Sequence, residues 1–198
     1  AEQGGMAIEK TRLLERIRSN SLLFLDLASG INSTLDINEV LHNLTVKVSE
    51  SLGMMGATIR LLNEETDELN LVAHHGLSET ILSLGQHTDI ATTSAALKGE
   101  TVIVEDAADD NRTRYKKELA QEGVGSMIIT PITAREKVIG ILRLYSPYVR
   151  RYSQDVVTMV QALAHQGGLA IQNASMYLKL QEDREALEAD VWSHRSWF

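Results

Sequence analysis

Two short apolar runs separated by a polar turn constrain this chain more than any other feature. Met127-Ile128-Ile129-Thr130 and Val138-Ile139-Gly140-Ile141-Leu142 lie within the stretch 123–147, with Arg135-Glu136-Lys137 between them. Each run is too short for an isolated helix, and each is rich in β-branched residues with apolar side chains at successive positions. That pattern predicts a hairpin of strands buried on both faces, and therefore a hairpin central to its sheet. The turn Ala134-Arg135-Glu136-Lys137 has no glycine, so a non-glycine residue is expected in a left-handed conformation, with a bulge beside it. Pro131 cannot donate to a ladder, which predicts that its nitrogen faces a gap, a bulge or the mobile middle segment, near a pocket mouth.

The rest of the pattern is mostly helical. Ile8, Leu13, Leu14, Ile17, Leu23, Phe24, Leu27 and Ile31 recur at mixed three- and four-residue steps, as on one amphipathic helix ending near Gly30. Asp36 and Glu39 resemble a capping box ahead of a second helix, whose apolar face is Ile37, Leu41, Leu44, Val48 and Leu52 and which Gly53 stops. Residues 57–62 and 69–74 read as a first hairpin across the polar turn EETDE. The segment 76–101 is irregular, with short helical turns near 79–84 and 93–98. A short strand 102–104 and a polar helix 114–121 follow, and after the N-cap Ser153 no proline interrupts the chain to Phe198. Helices, a hairpin, an irregular middle, a second hairpin and a long helix make an α+β fold with an antiparallel sheet.

Composition narrows the function classes. A formal charge of −8 with no basic patch opposes contact with nucleic acid and with anionic membrane surfaces. No apolar stretch approaches the ~20 residues that span a bilayer and no signal-like segment opens the chain, which together point to a cytoplasmic address. With zero cysteines, disulfides, thiolate nucleophiles, cysteine-ligated metals and cysteine-linked chromophores are all excluded. The residues AEQGG before Met6 read as a cloning remnant.

Four runs, TLDINEVL, ATIRLLNEETDELNLVAHHGLSE, VGSMIITPITAREKVIGILRLYS and YSQDVVTMVQALAHQGGLAIQNASMY, carry a resemblance to the GAF domain, a small-molecule-sensing module of signalling proteins. It covers most of the chain, from about Thr34 to Tyr177. The resemblance implies a GAF/PAS-like arrangement: a central sheet of five to six antiparallel strands, terminal helices on one face, and pocket loops with short helices on the other. It divides the chain into an N-terminal signalling helix (6–33), the GAF domain (34–178) and a coiled-coil connector (179–198). Leu180, Leu187 and Val191 keep heptad-compatible spacing in the connector, which is expected to lead to an output domain lying beyond the end SHRSWF.

Function expectations follow from the resemblance. A small molecule would bind opposite the terminal helices, roofed by residues 76–118, with candidate contacts His75, Thr92, Thr93, Asp106, Arg112, Tyr115, Ser126 and Thr130. The long helix carries two apolar stripes, and one helix with two such faces needs two partners. Small residues in one stripe allow another helix, from this chain or from a second copy, to approach closely. Family behaviour favours a homodimer through Ile17, Phe24, Val160, Ala164, Gly167, Ile171, Ala174 and Leu178.

Two further readings stay open: a dimerisation scaffold with a side-chain-filled pocket, and a haem or chromophore sensor. A polar cavity of roughly several hundred Å³ would favour the sensor and a closed apolar interior the scaffold. Catalysis has little support. Ser94, Ser126 and Ser146 sit in no nucleophile-elbow context. The catalytic cysteines of GAF-like methionine sulfoxide reductases cannot exist here, and the middle segment lacks the motif of cyclic-nucleotide-binding GAF domains. His165 lacks the acidic neighbour and downstream proline of a kinase phosphoacceptor. His74 and His75, on successive strand positions, point to opposite faces and cannot converge on one ion. Glu105, Asp106, Asp109 and Asp110 lack the spacing of a calcium loop and read as a solvated acidic segment that Arg112, Arg114, Lys116 and Lys117 neutralise.

Overall fold

A computed structural model describes residues 15, 18–19, 21–31, 34–63, 65–84 and 91–195, side chains excepted at 186 and 188–195. Helix α1 covers 21–31. Helix α2 is built from Ile37–His42, a π-helical turn Asn43–Lys47, and Val48–Ser51. Then come β1 (Gly56–Asn63), β2 (Glu68–His75), α3 (Glu79–Leu84), α4 (Ala91–Leu97), β3 (Val102–Val104), α5 (Lys116–Gln121), β4 (Ser126–Ala134), β5 (Lys137–Ser146) and α6 (Gln154–Arg195).

The strands form one five-stranded sheet in the order β2-β1-β5-β4-β3, with every neighbouring pair antiparallel. The 123–147 hairpin supplies the central strand β5 and its neighbour β4, as their apolar runs predict. Its turn places both Arg135 and Glu136 at positive φ, 47° and 65°. The expected bulge follows between Ile132 and Thr133. Two consecutive left-handed residues match the right-handed strand twist, and here side chains that disfavour that region supply them.

Strand alternation divides the core in two. Ala57, Ile59, Ile128, Ile132, Leu142 and Leu144 point to one face and pack with Leu27, Ile31, Val40, Leu44, Val160, Leu163 and Ile171 of α1, α2 and α6. Leu69, Met127, Ile129, Ile141 and Tyr145 point to the other, under Ile81, Ala96, Ala107 and Leu119 of the roof formed by α3, α4, α5 and the segment 105–115. The arrangement is the expected one, with terminal helices on one side and short roof elements on the other.

Side-chain bonds tie the helical layer together. Asp36 caps α2 by accepting from the Asn38 amide at 2.8 Å. The buried Asn43 amide donates to the Gly30 carbonyl at 2.8 Å, satisfying a terminal carbonyl of α1. Thr45 and Ser49 hydroxyls donate back to the Leu41 and Thr45 carbonyls, at 2.9 and 2.6 Å. Such back-bonding bends helices, and it coincides with the π-helical turn that apolar spacing alone does not reveal.

The glycines of α6 explain how closely this layer packs. A Cβ at Gly167 would lie 2.4 Å from Leu44 Cδ1, and one at Gly168 would lie 2.2 Å from the Thr133 carbonyl oxygen. The small-residue stripe is therefore covered by α2 and by the end of β4 within the same chain. Val160, Ala164, Ile171 and Ala174 are buried there too. This corrects the expectation that Val160, Ala164, Gly167, Ile171 and Ala174 form a dimer interface, because a side chain enclosed by its own chain has no surface left for a second copy. Phe24 is half-buried and Leu178 exposed, while Ile17 lies outside the described residues. Beyond the domain, α6 continues with Leu180 and Leu187 exposed. Among the described residues no helix is long and apolar enough to cross a membrane.

Candidate functional site

The roof and the sheet enclose two small adjoining cavities that share Arg143. The first, about 30 Å³, is lined by Ile81, Leu84, Thr92, Thr113, Arg114, Tyr115, Leu119, Met127, Arg143 and Tyr145. The second, about 10 Å³, is lined by Thr58, Arg60, Leu69, Thr93, Ile141 and Arg143. Neither approaches several hundred Å³, and neither is purely apolar. The interior thus falls between the two alternatives posed from the sequence.

Two arginines dominate this interior. Thr58 of β1 pairs with Arg143 of β5, and Arg60 pairs with Ile141, so Arg60 and Arg143 are diagonal neighbours on the roof-facing side of the two central strands. Such neighbours lie about 7–8 Å apart at the backbone, within easy reach for long side chains. Arg60 is only 6% exposed. Its Nη2 donates to the Leu82 carbonyl at 2.5 Å and its Nη1 to the Leu69 carbonyl at 3.4 Å. The Leu82 carbonyl belongs to the last turn of α3, where carbonyls are commonly satisfied by side chains. Arg60 therefore bolts α3 to the sheet. Burial is the largest influence on its pKa and lowers it; Tyr145 opposes that shift and the neighbouring Arg143 charge adds to it. A guanidinium starts so high that it stays charged at neutral pH.

Arg143 is half-buried and donates from Nη2 to Thr93 Oγ1 at 3.0 Å. Among the described residues its buried Nε has no hydrogen-bond partner, and neither has the buried hydroxyl of Thr113. Both residues line the larger cavity. No carboxylate pairs with Arg60 or Arg143 among the described residues.

The sequence-derived candidates divide by position. Thr92, Thr93 and Tyr115 line the cavities, with the Arg114 guanidinium 5.6 Å from the centre of the Tyr115 ring. Asp106 and Arg112 lie outside them, in an open acidic depression of about 420 Å³ shared with Ile103, Glu105, Asp109 and Asp110. There Asp106 caps the Ala108 amide at 2.9 Å, and Arg112 grips both carboxylate oxygens of Asp110, at 3.0 and 2.6 Å. That pairing lowers the Asp110 pKa, burial opposing it, and raises that of Arg112. Among the described residues no group of acids and histidines is arranged to hold a metal ion.

His75, Ser126 and Thr130 are on the wrong face for a roofed ligand. His75 pairs with Ala57, whose side chain enters the helical core, and its Nε2 lies 3.9 Å from Glu50 of α2. Ser126 contacts the Tyr148 carbonyl and the Tyr152 hydroxyl at 2.7 and 2.8 Å. Thr130 alternates with Ile128 and Ile132 on the helical face, its hydroxyl 2.8 Å from that of Thr101. Strand parity decides all three, and one residue of register inverts it. Pro131 lines neither cavity; it pairs with Ile141 of β5, and β3 pairs with β4 only as far as Ile129. His165 makes a contact of 2.9 Å to the Thr133 hydroxyl.

Sequence reasoning passed over Arg60 and Arg143. The available signal was a lone cation in each of two apolar strands, ATIRLL and GILRLY. A charge at such a position is either at an edge or buried for a reason.

Solved structures share this architecture. The GAF domain of a phosphoenolpyruvate-protein phosphotransferase from Coxiella burnetii aligns with a TM-score of 0.70 at 16% identity, covering 80% of this chain and 95% of that one. The corresponding GAF domain from Acinetobacter aligns at 0.64 with 22% identity, covering 78% and 93%. Free methionine-R-sulfoxide reductase from Neisseria meningitidis, solved with its substrate, aligns at 0.67 with 17% identity, covering 80% and 91%. At such identities the likeness concerns the fold. No curated protein matches the chain. A family model described as GAF domain matches residues 34–172, the span that holds the sheet, the roof and the first half of α6; the chain belongs to the GAF domain family.

Proposed function

We propose that this chain is a non-enzymatic, cytoplasmic sensor module that binds a small molecule between sheet and roof and relays its presence through α6. One observation carries the reading: Arg143 Nε and the Thr113 hydroxyl, two buried polar groups without partners among the described residues, belong to side chains that line the same roofed cavity. Buried donors of this kind are costly unless something accepts from them. A route to α6 exists in covalent and hydrogen-bonded terms. Cavity-lining Met127 and Tyr145 adjoin Ser126 and Ser146, whose hydroxyls hold the Tyr148 carbonyl; Ser126 also touches Tyr152, just ahead of α6. A ligand shifts the helix only by binding one arrangement better than another.

The module is proposed to work as a homodimer through α1 and α6, on a face different from the buried stripe. Leu22 and Leu25 are exposed on α1. A groove of about 530 Å³ between the helices is lined by Ser21, Phe24, Leu25, Asp155, Thr158, Met159 and Ala162. Residues 179–198 then extend the paired helices as a connector to an output domain.

The test uses native mass spectrometry to identify any co-purified molecule. Spin labels at Gln181→Cys, the sole thiol in the molecule, report the interhelical distance with that molecule present and after its removal. A change in distance supports the relay, and an unchanged distance overturns it. Sedimentation of Leu22→Glu/Leu25→Glu as a monomer supports the dimer face; an unaltered dimer places the interface elsewhere.

The small size of the cavities favours a second reading, a dimerisation scaffold whose pocket is nearly filled by its own side chains. A haem or bilin would need far more than 30 Å³, hence a displaced roof. Absence of any co-purified or added ligand effect on α6, with the dimer intact, would select the scaffold.

A further inference from the structure

We propose that the occupant of the sheet–roof cavity is a small oxyanion, a carboxylate- or phosphate-type group, gripped by Arg143 and Thr113 against the charge of Arg60. The inference rests on the reading of this cavity as the ligand site and names the chemistry it selects. Three observations converge. The first is charge. Arg60 and Arg143 are diagonal neighbours on paired central strands, Arg60 is almost wholly buried, and no carboxylate pairs with either among the described residues. Carbonyl dipoles and a threonine hydroxyl satisfy some donors without neutralising either cation. Two like charges this close, one almost wholly buried and the other half-buried, are a standing cost that a bound anion reduces.

The second is donor geometry. Among the described residues, Arg143 Nε and Thr113 Oγ1 are the buried side-chain atoms of the cavity that lack a partner, and Thr92 and Tyr115 line the same space. Nitrogen of a guanidinium only donates, and a threonine hydroxyl can donate as well. A site whose free groups are donors asks for an acceptor, and a charged acceptor makes the shorter and stronger bonds. The third is size. A cavity of about 30 Å³ is room for a few heavy atoms, and the adjoining 10 Å³ beside Arg60 lies across the Arg143 side chain. A water molecule could satisfy the orphan donors, but it carries no charge to offset the arginines.

The test is titration calorimetry of the full chain at constant ionic strength with the potassium salts of formate, acetate, nitrate and phosphate, potassium chloride serving as the reference. At least one of the four oxyanions is expected to bind saturably and to raise the thermal midpoint above that in chloride. Arg143→Met should weaken that binding about ten- to a hundredfold, the range for losing a hydrogen bond to a charged group. Thr113→Val should weaken it about tenfold, and Arg143→Lys should fail to restore it, since a lysine keeps the charge but has no Nε. The Thr113 and Lys variants keep the test decisive if Arg143→Met does not fold.

The proposal is overturned if none of the four binds better than chloride, or if binding survives both Arg143→Met and Thr113→Val. The two readings fail separately. A neutral molecule found in the cavity would sink the oxyanion and leave the sensor standing; an oxyanion that binds without moving the Gln181 labels would do the reverse.

Discussion

Replacing Gly168 with alanine tests whether the small-residue stripe of α6 serves packing within one chain. In an exposed helix, glycine to alanine stabilises by about 1 kcal/mol. Here the new methyl would lie 2.2 Å from the Thr133 carbonyl oxygen and 2.8 Å from its carbon. Ordinary contact starts near 3.4 Å, so the helix and β4 must separate by about 1.2 Å, 3.4 less 2.2. Backbone cannot yield by changing rotamer, which puts the overpacking cost near the upper end of its usual range, about 3 kcal/mol. The net effect is a loss of about 2 kcal/mol. For a chain of 198 residues that lowers the thermal midpoint by about 4–8 °C.

Gly167→Ala provides the comparison. The three atoms nearest its methyl would all belong to the Leu44 side chain, the closest at 2.4 Å, and a leucine can rotate at a smaller cost. Its net loss should be about 1 kcal/mol or less. The assay is calorimetry of the three proteins across a hundredfold range of concentration. An intrachain contact gives a shift independent of concentration, whereas a dimer contact gives one that grows on dilution. A rise in midpoint for Gly168→Ala, or a deficit confined to dilute samples, would refute the packing argument.

Two other outcomes follow from local geometry. Arg135→Asn with Glu136→Gly places favoured residues at the two positive-φ positions and should stabilise by about 1 kcal/mol in urea unfolding; destabilisation would mean the turn changes type. Asp110 titrates below the usual carboxylate range because Arg112 holds its charged form, so its contribution is present above about pH 4 and is lost as pH falls through the lowered folded value. Because Arg112 is about half exposed, with 49% of its side chain accessible, that contribution is under about 1 kcal/mol. Asp110→Asn should flatten the acid limb of the stability profile below about pH 4, and an unchanged limb would discount the pair.

Most of the fold was readable from local pattern. The expected strands 57–62, 69–74 and 102–104 and the helical turn 79–84 lie within one residue of the observed elements at each end, because apolar periodicity and turn residues are properties of neighbouring positions. The turn strain at Arg135 and Glu136 was readable from a missing glycine. The site was readable only in part. Thr92, Thr93 and Tyr115 line the cavity, but His75, Ser126 and Thr130 face the helices, since parity along a strand cannot be assigned until its register and bulges are known. Thr113 gave no signal, being one polar residue in a polar loop.

What the sequence determines by itself is the kind of element each segment makes and the chemistry the chain lacks. β-branched runs around a polar turn make the hairpin, three- and four-residue steps make the terminal helices, and zero cysteines remove thiol chemistry. Only the tertiary structure decided which partner each apolar face meets and which distant residues converge. The stripe through Gly167 and Gly168 is equally apolar whether it meets α2, β4 or a second chain, and its neighbour is set by close packing of the whole layer. Arg60 and Arg143 are 83 positions apart, 143 less 60, and become neighbours because β1 pairs with β5 in one register. Periodicity states that a face is buried; register and packing state against what.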